Sequence, residues 1–187
     1  MFYKTINEDT KLEILQEKHA EELFRLTDRG RTYLGEWMPW APAIKTVDDT
    51  KGYIRSTLKE FGEGKNLAVA ILHRGEVAGT ASYHVIDRAN KKTSIGYWLG
   101  ENYQGRGLMT ATVQVLVDYA FTELDLNRVE IRAGVENTKS RAIPERLGFV
   151  QEGIHRQAEI VDGRFVDHAS YSMLRDEWKK NGSRSSS

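Results

Sequence analysis

In the first half of the chain, the spacing of apolar positions predicts two amphipathic helices set among short strands. Apolar residues three and four positions apart over 18–26 predict the first helix. The second begins after Thr46, which forms a capping box with Asp49, and ends near Gly62. Alternating or continuous apolar runs predict the strands, and Arg74-Gly75-Glu76 is typical of a hairpin turn. These strands are expected at 11–15, 67–72, 77–86 and 93–99.

In the second half, helices and strands alternate. The clearest helix has apolar residues from Val113 to Leu124 at the spacing of one helical face, and 139–147 predicts another that ends at Gly148. Asp162-Gly163 is typical of a two-residue type I′ hairpin turn. Strands are expected at 128–135, 149–161 and 164–174. The order β-α-α-β-β-β-α-β-α-β-β predicts one α/β (α+β) domain over 1–180, with a mixed sheet and a disordered polar tail at 181–187.

Composition narrows the classes of partner. The chain has 27 Lys plus Arg and 27 Asp plus Glu, so no net field favours nucleic acid or an anionic membrane. With no cysteine, disulfides, thiolate metal sites and a cysteine nucleophile are excluded. The five histidines show no ligand spacing, and no metal is expected. Neither a spanning apolar run nor a secretory signal is present, which favours a cytoplasmic protein.

A glycine-containing loop, Gln104-Gly105-Arg106-Gly107-Leu108-Met109, joins the strand at 93–99 to the long helix. A helix N-terminus offers unpaired N–H groups, and glycines let the backbone curl around an anion, so this loop predicts a phosphate or pyrophosphate site. A plain tight turn is the alternative. Two rival motifs do not fit: a P-loop needs Gly-Lys-Ser/Thr, which Met109-Thr110 does not supply, and a dinucleotide fold needs a third glycine where Thr110 stands.

The spacing of Gln104, Gly107 and Met109 resembles the acetyl-CoA motif of the GNAT superfamily of N-acetyltransferases. Further along, Asn137-x-x-Ser140 followed by 145–149 is similar to the superfamily's next motif. The order of elements is similar across nearly the whole chain, and it implies flanking helices and a splayed central strand pair. A closer likeness is to the bacterial ribosomal-protein N-acetyltransferases, through Trp37-Met38-Pro39-Trp40 and the segment around Gln157-Ala158-Glu159.

The resemblance implies where acetyl-CoA, the co-substrate, would bind. Its pyrophosphate would lie on the backbone of Gly105 to Met109, which includes Arg106, Gly107 and Leu108 and follows Gln104. Its pantetheine arm would pair with the backbone around Tyr97 and Leu99, and Asn137 and Ser140 would face the thioester. Met109 departs from the family's usual small residue, but only its N–H is needed.

The resemblance also suggests catalytic residues. Many family members carry a tyrosine as general acid where this chain has Pro144, which has no proton to give and predicts a short or kinked helix. Ser140 is the candidate acid instead, and Glu159, through a water, is the candidate base. Glu159 could also be an outward strand residue. Asn137 could cap the helix that follows it.

The aromatic segment and the cost of deprotonating the attacking amine bear on the identity of the acceptor. Trp37, Met38 and Trp40 are candidate substrate-binding residues that form an apolar lid, with core packing as the alternative. At pH 7, deprotonation costs about 1 kcal/mol for an α-amine but roughly 4.6 kcal/mol for lysine, which favours a protein N-terminus. A polyamine, an amino sugar or another small amine stays open. A non-catalytic acyl-CoA-binding module and an unrelated nucleotide-binding domain also stay open. Self-association is expected.

Overall fold

Within the described residues, 3–184, eight strands form one sheet in the spatial order β1-β2-β3-β4-β5-β6-β8-β7. The structure is a computed structural model, and it describes 181–184 by their backbone alone. Neighbouring strands are antiparallel except β5 and β6, which are parallel. The strands are β1 Tyr3–Asn7, β2 Thr10–Ile14, β3 Leu67–His73, β4 Glu76–Tyr83, β5 Lys92–Leu99, β6 Arg128–Gly134, β7 Val150–Val161 and β8 Arg164–Leu174.

Six α-helices within this part of the chain flank the sheet. They are α1 Ala20–Arg29, α2 Arg31–Gly35, α3 Val47–Gly62, α4 Leu108–Thr122, α5 Thr138–Arg146 and α6 Arg175–Arg184. The predicted capping box opens α3: the Asp49 N–H donates to Thr46 Oγ1 at 3.2 Å, and the Thr46 N–H donates to Asp49 Oδ2 at 2.8 Å. This reciprocal pair satisfies two N–H groups that the helix itself leaves without acceptors.

The sheet is covered on both faces, and the side chains of β3 contribute to a separate core on each face. Its residues Leu67, Val69 and Ile71 belong to a large core with α4 and α5, while Ala68 and Ala70 pack in a smaller core with α1 and α3. Every residue of β3 from Leu67 to Leu72 is buried. Because successive strand residues point to opposite faces, a strand covered on both sides reads as a continuous apolar run.

The central strands β5 and β6 are paired over only part of their length. Their register covers Lys92 with Arg128, Thr93 with Val129 and Ser94 with Glu130, and then the pairing stops. Beyond it, β5 continues to Leu99 and β6 continues to Gly134. The mixed, mostly antiparallel sheet with a splayed central pair is therefore confirmed.

Several elements differ from the sequence-based prediction. The prediction omitted β1, α2 and α6, and it placed the end of β4 at 86, whereas the strand ends at Tyr83. Most of β1 is exposed, so it has no apolar face to detect. Residues 181–184, predicted as the start of the disordered tail, are instead the last residues of α6, which continues to Arg184. In α6, Trp178 packs against the large core and anchors the helix. Residues 185–187 of the predicted tail lie outside the described residues.

Candidate active site

The glycine loop adopts the backbone that its composition predicts. Gly105 and Gly107 have φ of 73° and 74°, in the left-handed region that side chains disfavour. Gly107 is the N-cap of α4, whose first intrahelical bond runs from the Ala111 N–H to the Gly107 carbonyl at 3.0 Å. The first-turn N–H groups therefore have no acceptor within the helix. Met109 is 5% exposed, so its side chain lies in the core and leaves only its backbone toward the loop.

The β5 backbone beyond Ser94 faces the splay. The Gly100 N–H donates to the Ala78 carbonyl at 2.8 Å, and the Ser94 carbonyl accepts from the His84 N–H at 3.0 Å. Even-numbered residues of β5 thus direct their backbone groups to β4. Because these directions alternate along a strand, those of Tyr97 and Leu99 point to the side that β6 leaves. The Tyr33 hydroxyl of α2 already donates to the Leu99 carbonyl, a contact that the sequence did not reveal.

The Tyr97 side chain connects the splay to α5. Pro144 lies inside α5 and has no N–H, so the carbonyl of Ser140, four residues earlier, loses its usual helical donor. The Tyr97 hydroxyl donates to that carbonyl at 3.0 Å. Burial raises the pKa of Tyr97 well above its ordinary value, which keeps this hydroxyl protonated as a donor. The helix extends through Pro144 over nine residues because a side chain replaces the missing bond.

Asn137 caps α5, as one of its two expected roles requires. Its Oδ1 accepts the Ser140 N–H at 3.2 Å, so Ser140 is held by both its N–H and its carbonyl. Arg141 adds a second anchor, donating from Nη1 to the Val135 carbonyl and from Nε to the Tyr171 hydroxyl, both at 2.8 Å. Sequence reasoning missed Arg141 and Tyr171, whose partners are distant along the chain. Together these bonds fix the start of α5 beside the end of β6.

A cavity of about 740 Å³ lies on the α1/α3 face of the sheet, over the strands that splay. Asn137 and Ser140 line it on one side. Its floor is formed by alternate residues of β4, β5 and β6 and by His84, which directly follows β4, and most of them are polar: Thr80, Ser82, His84, Ser94, Gly96, Trp98, Glu130, Arg132 and Gly134. None of these floor residues is among the site residues predicted from the sequence. A signal for them was available in the sequence: polar residues alternate with apolar ones in strands that helices cover on both faces.

Trp37, Met38 and Trp40 all line this cavity, in the segment between α2 and α3. A Cβ added at Gly134 would lie 2.9 Å from the Trp37 ring, so the ring rests directly on the β6 backbone. The rings of Trp40 and Trp98 are 5.6 Å apart at 48°. Trp40 is among the exposed apolar side chains, and Trp37 and Trp40 line the cavity without belonging to either core, whereas Trp98 also packs against the smaller core.

Charged groups occupy another wall. Glu159 of β7 and His168 of β8 both line the cavity, with His168 Nε2 at 3.2 Å from Glu159 Oε2. Glu159 therefore borders the cavity, although part of its side chain stays exposed to solvent. Glu130 is paired with Arg128 at 2.9 Å and lies 3.6 Å from Arg132, so its charge is compensated within β6. The Glu159 carboxylate lies against a histidine, whereas Glu130 is paired with arginines.

Among the described residues, no three or more His, Asp or Glu side chains are grouped so that they could hold a metal ion. No helix there is long and apolar enough to cross a membrane.

A splayed parallel pair, a glycine loop opening a helix and a cavity on the opposite face define an acyl-CoA-dependent transferase architecture. Residues 10–150 match the model of the acetyltransferase (GNAT) domain, so the chain belongs to the GNAT acetyltransferase family. It is an N-acetyltransferase that uses acetyl-CoA as its acetyl donor. The unrelated nucleotide-binding domain and the non-catalytic module are thereby set aside.

Several named acetyltransferases are similar to this chain over nearly its whole length. The chain is 37% identical over 180 residues to "Putative ribosomal N-acetyltransferase YdaF" of Bacillus subtilis, covering 96% of this chain and 98% of that protein. It is 28% identical over 171 residues to the ribosomal-protein-serine acetyltransferase of Escherichia coli, covering 91% and 96%. The ribosomal alpha-N-protein acetyltransferase RimL in complex with coenzyme A superposes with a TM-score of 0.90 at 27% identity, covering 94% and 99%. The microcin C7 self-immunity acetyltransferase MccE, in complex with acetyl-CoA and AMP, gives 0.86 at 32% identity, covering 90% and 94%.

Proposed function

We propose that this enzyme acetylates the N-terminal α-amine of a protein, with a ribosomal protein as the favoured acceptor. The observation that carries the proposal is the cavity, which is open to the β5–β6 splay and walled by aromatic rings and by Glu159. A cavity of this size is large enough to hold the first residues of an unfolded protein N-terminus. Relatives named for ribosomal acceptors match nearly the whole chain, not one motif. A ribosomal acceptor would place the enzyme in the cytoplasm, and self-association remains a prediction.

In this proposal the donor lies on the opposite side of the splay. Acetyl-CoA supplies the acetyl group as a thioester. The backbone N–H groups from Gly105 to Met109, with Arg106 beside them, would hold its pyrophosphate, and Lys139 lies close, donating to Gln104 Oε1 at 3.3 Å. The outward-facing backbone at Tyr97 and Leu99 would pair with the pantetheine amides. Since the Leu99 carbonyl already accepts from Tyr33, the Leu99 N–H is the group left for that pairing.

Two side chains would move protons during transfer. Glu159 would accept the proton of the attacking amine through a water, and the amine nitrogen would form its bond to the acetyl carbon as the carbon–sulfur bond breaks. Ser140 would donate a proton to the departing thiolate. Its backbone is held by Asn137 and Tyr97, which directs the start of α5 toward the cavity. Pre-organised positioning of this kind can supply a large part of the rate.

An amine carried by a nucleotide is a second candidate acceptor. The cavity is lined by Trp37, Trp40, Tyr53 and Trp98, and such rings can stack on a nucleobase. MccE, whose structure contains AMP, is 32% identical to this chain. This candidate differs from the first in what would occupy the aromatic wall: a base in one case and peptide side chains in the other.

A panel of acceptors tests the proposal by release of coenzyme A and by mass spectrometry of the product. It contains peptides that begin with Ser or Ala, the same peptides with a blocked α-amine and an internal lysine, spermidine, an aminoglycoside and an aminoacyl-adenylate analogue. Turnover on the free α-amine, with at least about tenfold lower kcat/KM on every other acceptor, is the expected result. A preference for the adenylate analogue would favour the second candidate, and turnover on spermidine or the aminoglycoside alone would refute both.

A further inference from the structure

The part of β7 that carries Glu159 is irregular. In the β7–β8 ladder, His155 is opposite His168 and Glu159 is opposite Val166, so residues 156–158 of β7 face Asp167 alone. Gln157 has φ of 51°, and its N–H donates to Asp167 Oδ1 at 2.7 Å. A bulge of this kind inserts extra residues on one strand and redirects the side chains that follow. Here the bulge is stabilised by the Asp167 carboxylate of β8, which accepts this hydrogen bond.

The bulge determines what Glu159 can reach. If the register at His155 continued unchanged, Glu159 would be opposite Arg164, next to the hairpin turn. Because of the bulge, Glu159 is opposite Val166 instead, two positions away from Arg164 on β8, which is roughly 7 Å along the strand. Val166 and His168 share one face of β8 because they are two residues apart, and a Cβ at Gly134 would meet Val166 at 3.3 Å. Glu159 therefore lies on the cavity face, beside His168.

We propose that His168 is a positioning residue that holds the Glu159 carboxylate toward the acceptor amine. The inference rests on the proposed role of Glu159 as base. The Glu159 side chain is 36% exposed and His168 is 18% exposed, so a long, rotatable carboxylate lies against a nearly buried ring. His168 Nε2 lies 3.2 Å from Glu159 Oε2, and because a carboxylate can only accept, an N–H at this nitrogen would be the group that holds it. Without this contact, Glu159 would sample several rotamers, most of them away from the cavity.

Steady-state kinetics on the accepted peptide, with calorimetric titration of acetyl-CoA, test this role. His168→Leu should lower kcat about tenfold or more while leaving the Kd for acetyl-CoA unchanged. His168→Gln keeps an N–H near the position of Nε2 and should retain kcat within about threefold. His168→Asn holds its N–H too close to the backbone to reach Glu159 and should behave like His168→Leu. His155→Leu is the matched control, since His155 is the register partner of His168 but does not line the cavity.

The double variant Glu159→Gln/His168→Leu decides whether His168 acts through Glu159. If it does, His168→Leu should lower kcat no further once Glu159 is replaced. An equal further loss in that background, or full activity of His168→Leu, would overturn the inference. If His168→Leu unfolds, the comparison of His168→Gln with His168→Asn decides, and equal activity of these two would overturn it. Unchanged kcat in Glu159→Gln alone would instead remove the proposed base, which is a separate failure of the proposed function.

Discussion

The two faces of the central sheet differ in kind, although the same strands form both. On the α4/α5 face, Ile95 and Ile131 are 2% and 0% exposed and belong to the large core. One residue away, Ser94 and Arg132 line the cavity on the α1/α3 face. Because side chains alternate between the two faces of a strand, residues that pack in the core and residues that line the cavity are neighbours in sequence. Substitutions at adjacent residues should consequently have effects of different kinds.

The largest expected effect is on stability, at Ile131. Ile131→Ala should lower the free energy of unfolding by about 2–5 kcal/mol, because it leaves a cavity in a fully packed core. Its neighbour Arg132 is half exposed on the opposite face, so Arg132→Ala should cost less than about 1 kcal/mol. Urea unfolding of both variants measures the difference. Equal losses in the two variants would show that Arg132 contributes as much to stability as the core residue Ile131, contrary to the difference between the two faces.

The next effect is on catalysis, at Ser140. Ser140→Ala should lower kcat about 100-fold or more, with little change in the Kd for acetyl-CoA or in the unfolding midpoint. Thr138→Ala provides the control, since it removes an exposed hydroxyl from the same helix outside the cavity. Rapid-quench or steady-state kinetics, with calorimetry for binding, separates the two parameters. An unchanged kcat would remove Ser140 from the mechanism.

The smallest expected effect is at Tyr97, which connects the splay to α5. Tyr97→Phe leaves the Ser140 carbonyl without a donor and should cost about 1–2 kcal/mol of stability. Pro144→Ala restores an N–H that this carbonyl can accept, so Tyr97→Phe should cost less in that background. The coupling comes from urea unfolding of the four proteins in the double-mutant cycle. Strictly additive losses would show that Pro144 and Tyr97 are not linked through Ser140.

Local features were predictable from the sequence, and non-local ones were not. Periodicity located most strands and helices, and the glycine loop and the Asn137 cap follow from residues close together in the chain. The cavity floor comes from three strands whose polar residues are far apart in sequence. The place of Glu159 depends on a bulge closed by Asp167, and the support of Ser140 comes from Tyr97. Such contacts exist only after the sheet has formed, and therefore no single segment encodes them.

The short β5–β6 pairing has a thermodynamic consequence. Where the register ends at Ser94, the sheet lacks a neighbour that a cofactor bound in the proposed position would supply. A ligand that binds only the folded chain stabilises it by mass action, by about 2.7 kcal/mol when its concentration is 100 times Kd. The resistance of this enzyme to unfolding and proteolysis should then rise with the concentration of acetyl-CoA.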